Sequence, residues 1–155
     1  MNPFIKKTFA IILIAFSFTQ LHAQTPKKLE LLFLGHDSKH HNSDVLASIM
    51  SKAYFKKGIN ITYTTNINDL NEKTLKPYDG LILYANYDTI SASHATALLN
   101  FVKNGKGFIP IHCASYCFRN NPEVVELIGG QFKEHGYDSF PSVFKDYNHP
   151  LIKNI

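Results

Sequence analysis

The sequence predicts an α/β fold in three layers, with a doubly wound parallel sheet between layers of helices. Three observations lead to this prediction. Short apolar segments have the length and composition of buried strands, segments of helical periodicity alternate with them, and glycines follow the helical segments. Strands and helices that alternate with short turns are typical of right-handed βαβ units, which build a parallel sheet.

Four segments are predicted strands. Residues 29–35, LELLFLG, form a nearly continuous apolar run, as expected for a strand that is covered on both faces. Residues 59–64, 79–86 and 107–112 follow as further strands. The expected strand order is 2-1-3-4, the order of flavodoxin-like folds, with the switch point between the first and third strands. Residues 139–144, SFPSVF, are a candidate for one more strand.

Helices are expected between these strands. Residues 43–57 carry apolar side chains at helical spacing, and residues 69–78 favour a short helical connection. A helix capped by Ser91 or Ser93 precedes the fourth strand, and a last helix spans residues 121–130. The apolar face predicted for the first helix consists of Val45, Leu46, Ile49, Met50 and Ala53.

The first 23 residues have the layout of a secretory signal peptide. Lys6 and Lys7 precede an apolar run over residues 8–18, and Ala23 is a small residue at the expected cleavage point. The run is shorter than the roughly 20 residues that cross a bilayer, so we expect cleavage and no stable membrane anchor. The expected product is a periplasmic or secreted protein in which residues 24–155 form one domain.

The charge pattern gives no support to nucleic-acid binding. Without Lys6 and Lys7, 14 basic residues face 12 acidic ones, so the formal charge of the mature chain is +2 rather than +4. The lysines are scattered and Arg119 is the only arginine, so the chain has no basic stripe that would follow a phosphate backbone.

Polar residues concentrate after the predicted strands, where open parallel sheets bind their ligands. We therefore expect a ligand site at this edge of the sheet. His112 is the best candidate for acid–base catalysis, because histidine as a residue type titrates near neutrality. The cluster comprises His36, Asp37, His40 and His41 after the first strand, Asn86, Tyr87 and Asp88 after the third, and His112, Cys113, Ser115 and Tyr116 after the fourth.

Two more specific chemistries are conceivable for this cluster. Cys113 could be a nucleophile, because a thiol on a tight strand-to-helix turn receives helix amides that lower its pKa. Ile111 and Ser115, however, stand where the elbow motif G-x-[SC]-x-G has glycines. A metal site is the other possibility, but no ligand-spacing motif joins its candidates, so no metal ligand is assigned. Those candidates are His36, Asp37, His41, His112 and His135.

Five stretches of the chain resemble the ThuA-like (trehalose utilisation) family in order and spacing. They are LLFLGHDSKHHN, TYTTNINDLNEKTLKPYDGLILYAN, LLNFVKNGKGFIPIHCASYCF, ELIGGQFKEHG and NHPLIKNI. GKGFIPIHCAS is the most specific of the pieces, because it is similar to the family signature G-F-x-x-[IL]-H-x-[AS]. Taken together, these stretches are most similar to ThuA-like domains at the N-terminus of exported, membrane-bound dehydrogenases.

The resemblance implies a fold like that of class I glutamine amidotransferases and a role in carbohydrate utilisation. It implies no counterpart of the amidotransferase nucleophile at Cys113. Such domains continue past the chain's last residues, so the domain is expected to be incomplete at its C-terminus. The family's polar positions fall on His36, His41, His112, His135 and the pair His149 and Pro150.

Three functions follow from these observations. The leading hypothesis is a ThuA-like domain that binds a trehalose-like sugar derivative at the strand ends. The second is a non-catalytic binding module of a larger exported dehydrogenase-like protein, whose other domains would be its partners. The third is a thiol hydrolase that uses Cys113, and no cofactor is identified. The ligand contacts of the leading hypothesis are His36, Asp37, His41, Asn86, His112 and His135.

Overall fold

The computed structural model of the chain describes residues 27–38, 40–137, 139, 141 and 143–152. The predicted signal peptide therefore lies outside the described residues. The strands are β1 (Leu29–Leu34), β2 (Ile59–Thr64), β3 (Gly80–Leu83) and β4 (Gly107–Pro110). The helices are α1 (Ser43–Phe55), α2 (Glu72–Leu75), α3 (Ala92–Lys103) and α4 (Pro122–Ile128), with short 3-10 helices at Ile67–Asp69 and His112–Tyr116.

The strands form one parallel sheet in the order β2-β1-β3-β4, which confirms the predicted order. β1 pairs along its whole length with β2, beginning with Leu29 opposite Ile59, and with β3 from Leu31 opposite Gly80. β4 pairs with the other side of β3. Because all the strands run in one direction, their carboxyl ends meet at one edge, and the loops that follow them are neighbours.

The two faces of the sheet carry different parts of the core. Leu32 and Leu34 of β1 face one side, where residues of α2, α3 and α4 pack against them. Phe33 faces the other side, where α1 covers it through Ala47. Successive side chains of a strand point in opposite directions, so β1 is buried on both faces, as its continuous apolar run predicted. The helices on both faces confirm the three-layer α/β fold.

Local capping signals set the helix ends as predicted. The Ser91 hydroxyl accepts a hydrogen bond from the His94 amide at 3.2 Å and so caps α3. Asn121 caps α4 with its side chain, and Pro122 takes the first helical position. α4 ends at Gly129, whose φ of +91° is the left-handed conformation that glycine adopts without strain.

The predicted apolar face of the first helix is partly wrong. Leu46 and Met50 pack against the sheet, but Val45 and Ile49 are 49% and 59% exposed. α1 buries a stripe that runs through Ala47, and positions 45 and 49 lie beside that stripe. A helix that meets a sheet on one side buries only part of its circumference, so apolar residues outside that part stay in contact with solvent.

The predicted fifth strand is absent from the described part of residues 139–144. Val143 is 77% exposed, so the segment gains little from apolar burial there. The described residues of this segment, none of which is in a strand, are Ser139, Pro141, Val143 and Phe144. Among the described residues, no helix has both the length and the apolar character needed to span a membrane.

Candidate functional site

Gly35 and Ser43 shape the loop that follows β1. The buried Ser43 hydroxyl donates to the His36 carbonyl at 2.7 Å, accepts from the His36 amide at 3.1 Å and lies 2.8 Å from the Tyr63 hydroxyl. A Cβ on Gly35 would lie 2.5 Å from the Ser43 hydroxyl oxygen and 2.6 Å from the Tyr63 ring. The chain passes this close to Ser43 because glycine has no side chain, and the contact holds His36 in place.

Tyr87 and Asn120 tie the remaining loops together. The Tyr87 hydroxyl lies 3.0 Å from the Gly35 carbonyl oxygen and 2.5 Å from the Thr65 carbonyl oxygen. It therefore donates a shared hydrogen bond to the loops after β1 and β2. The side-chain amide of Asn120 donates to the Ile90 carbonyl and its oxygen accepts from the Ile90 amide, both at 2.9 Å. These bonds hold the loops after all four strands in one arrangement.

The turn after β4 places His112, rather than Cys113, at its strained position. His112 has a φ of +50°, which is uncommon for a residue other than glycine, and it is exposed. Cys113 is only 8% exposed, and burial raises the pKa of its thiol. This direction is opposite to the lowered pKa expected for a nucleophilic Cys113, so that part of the expectation is wrong, and a catalytic role of Cys113 stays a prediction.

A cavity of about 630 Å³ opens at the carboxyl ends of the strands. This volume falls in the range of roughly 300–1,000 Å³ that is usual for small-molecule sites. A smaller depression of about 350 Å³, between α2 and α3, is lined by no histidine or cysteine. The larger cavity is lined by His40, His41, Asn86, His112, Cys113, Ser115, Tyr116, Phe132 and His135.

Phe132 lines this cavity but was not among the predicted ligand contacts. Its ring lies 6.4 Å from the Tyr116 ring and 5.8 Å from the His135 ring, measured between centroids. Its amide donates to the Ser115 carbonyl at 2.9 Å, which fastens the segment after α4 to the turn after β4. Phe132 lies outside helices and strands, so no periodicity pointed to it, and its spacing from His135 was the one available signal.

His36 and Asp37 do not line the cavity. They belong to a neighbouring depression of about 320 Å³, and His41 lies on the boundary because it lines both. Asp37 is exposed. The ligand contacts predicted from the sequence are therefore divided, with His41, Asn86, His112 and His135 in the cavity and His36 and Asp37 beside it.

Three histidines from two loops stand next to one another. The ring centroids of His36 and His41 are 5.9 Å apart, and those of His41 and His112 are 5.1 Å apart. The pKa of His36 is lowered mainly by burial and then by the charge of His41. The charge of Asp37 acts in the opposite direction and raises the pKa. Burial, and then the charges of His112 and His40, lowers the pKa of His41. Both His36 and His41 thus favour the neutral form, in which one ring nitrogen has a free lone pair.

His36, His41 and Cys113 converge at one point. One ligand atom from each of the three lies within 4.8 Å of the others. The Nε2 atom of His36 and the Nδ1 atom of His41 are buried and have no hydrogen-bond partner in the described part of the chain. The other candidates considered for a metal, Asp37, His112 and His135, are not in this group.

Cys117 belongs to the core rather than to the site. It has no exposed surface, and its thiol donates to the Ala85 carbonyl at 3.0 Å. Burial raises the pKa of Cys117 to about 12. Both Cys113 and Cys117 are free thiols, so Cys117 serves as an internal reference for the reactivity of Cys113.

The fold and this edge of the sheet define an α/β protein of the flavodoxin-like class with a cavity of small-molecule size at its strand ends. Residues 30–155 match the family described as Trehalose utilisation (ThuA). The chain therefore belongs to the ThuA family, which confirms the family that the sequence resembled.

Two solved structures share the fold. A ThuA-like protein from Bacteroides uniformis superimposes with a TM-score of 0.68 at 21% identity, over 86% of this chain and 58% of that one. A ThuA-like protein from Parabacteroides merdae superimposes with a TM-score of 0.52 at 19% identity, over 63% of this chain and 37% of that one. The chain thus spans just over half of the first protein and just over a third of the second. No curated protein matches the chain.

Proposed function

We propose that the strand-end cavity binds a trehalose-like sugar derivative. The composition of the cavity wall is the observation that carries this proposal. Asn86, Ser115 and His135 offer donors and acceptors for hydroxyl groups, and Tyr116 and Phe132 offer flat apolar surfaces. A sugar ring presents an apolar C–H face and a rim of hydroxyl groups, so it needs both kinds of partner. The cavity of about 630 Å³ has the size of sites that take small organic ligands.

His112 is the proposed proton-transfer group of this site. Its exposed ring lines the cavity, and its backbone is held at a φ of +50°. Non-glycine residues in this region cost free energy and cluster at functional sites, where the surrounding structure holds them in place. The neutral ring of His41, 5.1 Å from the His112 ring between centroids, is its neighbour in the wall.

Thermal unfolding with a panel of disaccharides and their oxidised derivatives tests the proposal. We expect one compound to raise the Tm of the mature chain in a concentration-dependent way, as a ligand that binds only the folded state does. His112→Gln and Asn86→Ala should lose most of this shift. His94→Gln on α3, outside the cavity, is the matched control and should keep it. A panel without any shift, or an equal shift in His112→Gln and His94→Gln, would refute the proposal.

We also propose that the protein is exported, on the basis of its first 23 residues. The chain recovered from the periplasm of a bacterial host should begin at Gln24, as mass spectrometry of the intact protein would show. An uncleaved chain in the cytoplasm would contradict this proposal.

A position at the front of a larger exported dehydrogenase-like protein is a related proposal. The overall resemblance of the chain to ThuA-like domains at the front of such proteins supports it. Sequencing of the gene and its downstream neighbour provides the test, because the adjoining reading frame should encode the rest of the domain and further modules. An unrelated neighbouring frame would contradict it.

A further inference from the structure

We infer that His36, His41 and Cys113 form a binding site for a transition-metal ion of the zinc class. The inference goes beyond the proposed function, because an ion can bind there whether or not the cavity takes a sugar. It rests on two separate observations, the convergence of donor atoms from three side chains and the presence, in each of the two histidines, of a buried ring nitrogen without a hydrogen-bond partner among the described residues.

The three side chains supply the donor types that zinc prefers. Zn²⁺ binds thiolate sulfur at about 2.3 Å and imidazole nitrogen at about 2.0–2.1 Å, and at a tetrahedral ion such donors are about 3.3–3.6 Å apart. The donor atoms of His36, His41 and Cys113 lie within 4.8 Å of one another. They must approach by about 1 Å, which small rotations about the side-chain torsions provide.

The second observation is that both histidines of this group have a buried ring nitrogen without a partner. Nε2 of His36 and Nδ1 of His41 are buried and, within the described residues, neither makes a hydrogen bond. Buried polar atoms nearly always have a hydrogen-bond partner, because a group that loses its hydration without gaining a new partner destabilises the folded state. A metal ion between the two rings would accept one lone pair from each.

The protein can complete such a site without a further charged group. On binding, the Cys113 thiol releases its proton to solvent and the sulfur binds as a thiolate, while both imidazoles bind in their neutral form. Three protein ligands leave the fourth position of a tetrahedral ion open. Because His41 and Cys113 also line the cavity, an ion held by them would lie at the cavity wall, where water can reach it.

Cobalt(II) titration of the metal-free protein tests this site, with Co²⁺ as the spectroscopic substitute for Zn²⁺. We expect one equivalent to bind with visible bands of a tetrahedral ion and a near-ultraviolet thiolate-to-cobalt charge-transfer band, and Zn²⁺ to remove both. Cys113→Ser should abolish the charge-transfer band, and Cys117→Ser should retain it. His36→Gln and His41→Gln should weaken Co²⁺ binding at least tenfold, by analogy with changes around other metal sites. His94→Gln should leave it unchanged.

A Co²⁺ spectrum without the thiolate band, or a band that survives Cys113→Ser, would overturn the inference. A measurement on the unmodified protein avoids any folding defect of the variants. Zn²⁺ should slow the alkylation of Cys113 by iodoacetamide at least tenfold, as followed by mass spectrometry of the peptides. An unchanged rate at Cys113 would overturn the inference as well.

The two proposals can fail independently. Sugar binding by the chelator-treated protein, together with no Co²⁺ spectrum, would keep the proposed function and overturn the metal site. A Co²⁺ spectrum that depends on Cys113, together with no response to any sugar, would keep the metal site and refute the proposed function.

Discussion

Gly35 shows how one missing side chain positions the site. The chain leaves β1 directly over the Ser43 hydroxyl, which bonds both the amide and the carbonyl of His36. A methyl group at position 35 would overlap the Ser43 hydroxyl at 2.5 Å and the Tyr63 ring at 2.6 Å. The location of His36, and with it the convergence of the histidines, therefore depends on this close approach.

Gly35→Ala should lower the free energy of unfolding by about 1–3 kcal/mol, the usual cost of forcing an extra group into a packed site. Gly130→Ala is the matched control, because a Cβ there meets nothing within 4 Å. Urea unfolding of both variants measures the difference. Equal midpoints for the two variants would contradict this prediction, because the loop after β1 would then accept the extra methyl group without a loss of stability.

The two cysteines should differ in their reaction with iodoacetamide. Burial raises the pKa of both thiols, to about 12 for Cys117. The thiolate is the reactive form, so alkylation at neutral pH should be slower at both positions than in the unfolded chain. As the pH rises, Cys113 should react first, because it also lines the cavity. Peptide mass spectrometry at a series of pH values checks this order, and faster reaction at Cys117 would contradict it.

The sequence could indicate which residues gather at the strand ends, but not how each of them is oriented. Asn86 and His112 were predictable as cavity residues because parallel strands end at one edge, and His135 was predictable only through the family resemblance of the segment that carries it. The positive φ of His112 and the burial of Cys113 in the same turn were not predictable, because a positive φ is uncommon at residues other than glycine. The proximity of His36 and Cys113 depends on how the loops after β1 and β4 pack against each other. No spacing motif in the sequence predicts that packing.

At the scale of elements, Asp79 holds the amino ends of three strands together. Its carboxylate accepts from the Glu30 amide of β1 at 3.1 Å and from the Lys27 ammonium at 2.9 Å, and the Lys106 ammonium before β4 is 3.6 Å away. The bond from the Glu30 amide, followed by the contact with Lys27, lowers the pKa of Asp79. The edge of the sheet opposite the cavity is thus fastened by a carboxylate that must be ionised.

Asp79→Asn should destabilise the protein at neutral pH, and the difference from the unmodified protein should shrink in acid. A carboxyl group whose pKa is lower in the folded state contributes stability above its ordinary pKa, here 3.8, and loses that contribution as the pH falls through the folded value. Urea unfolding at neutral pH and below the ordinary pKa measures this dependence. Asp88→Asn, an exposed carboxylate after β3, is the control, and a pH-independent effect of Asp79→Asn would contradict the expectation.

For helix α1, the bounds could be predicted from the sequence more closely than the buried face. Its start at Ser43 was predicted, and its observed end at Phe55 is close to the predicted end at Lys57, because both ends follow from local spacing and the glycine at position 58. Its buried face was only partly predicted, since Val45 and Ile49 are as apolar as Leu46 and Met50 but stay exposed. Which side of a helix meets the sheet depends on tertiary packing, and periodicity alone cannot choose between two adjacent apolar stripes.

At the scale of the whole molecule, β4 lies at the edge of the sheet that the described residues form, and one of its apolar side chains is exposed. Within the described residues it pairs with β3 on one side only. Ile109, on the face of the sheet that α1 covers elsewhere, is 45% exposed. Unpaired strand edges with apolar side chains promote contacts between molecules, and proteins often interrupt them with lysine.

Ile109→Lys should therefore reduce self-association of the protein. Sedimentation velocity at increasing concentration should show a smaller rise in the average sedimentation coefficient for this variant. Val143→Lys is the control, because Val143 is 77% exposed but lies outside the sheet. The same reduction in both variants would indicate a general effect of charge rather than of the β4 edge.

The global topology was the most predictable property, because it follows from redundant signals. The order β2-β1-β3-β4 is expected for alternating strands and helices whose connections are short and right-handed. The segment after α4 carries no such alternation. Its contribution to the cavity, through Phe132 and His135, could be inferred only from similarity to other proteins.

The central position of β1 also has a bearing on the order of folding. β1 is the first strand of the described residues, yet its two neighbours lie between Ile59 and Leu83. Contacts between segments far apart in sequence form late, because the entropy of closing the intervening loop opposes them. We therefore expect the contact of His36 and His41 with the turn that carries His112 and Cys113 to form late in folding, and the cavity with it.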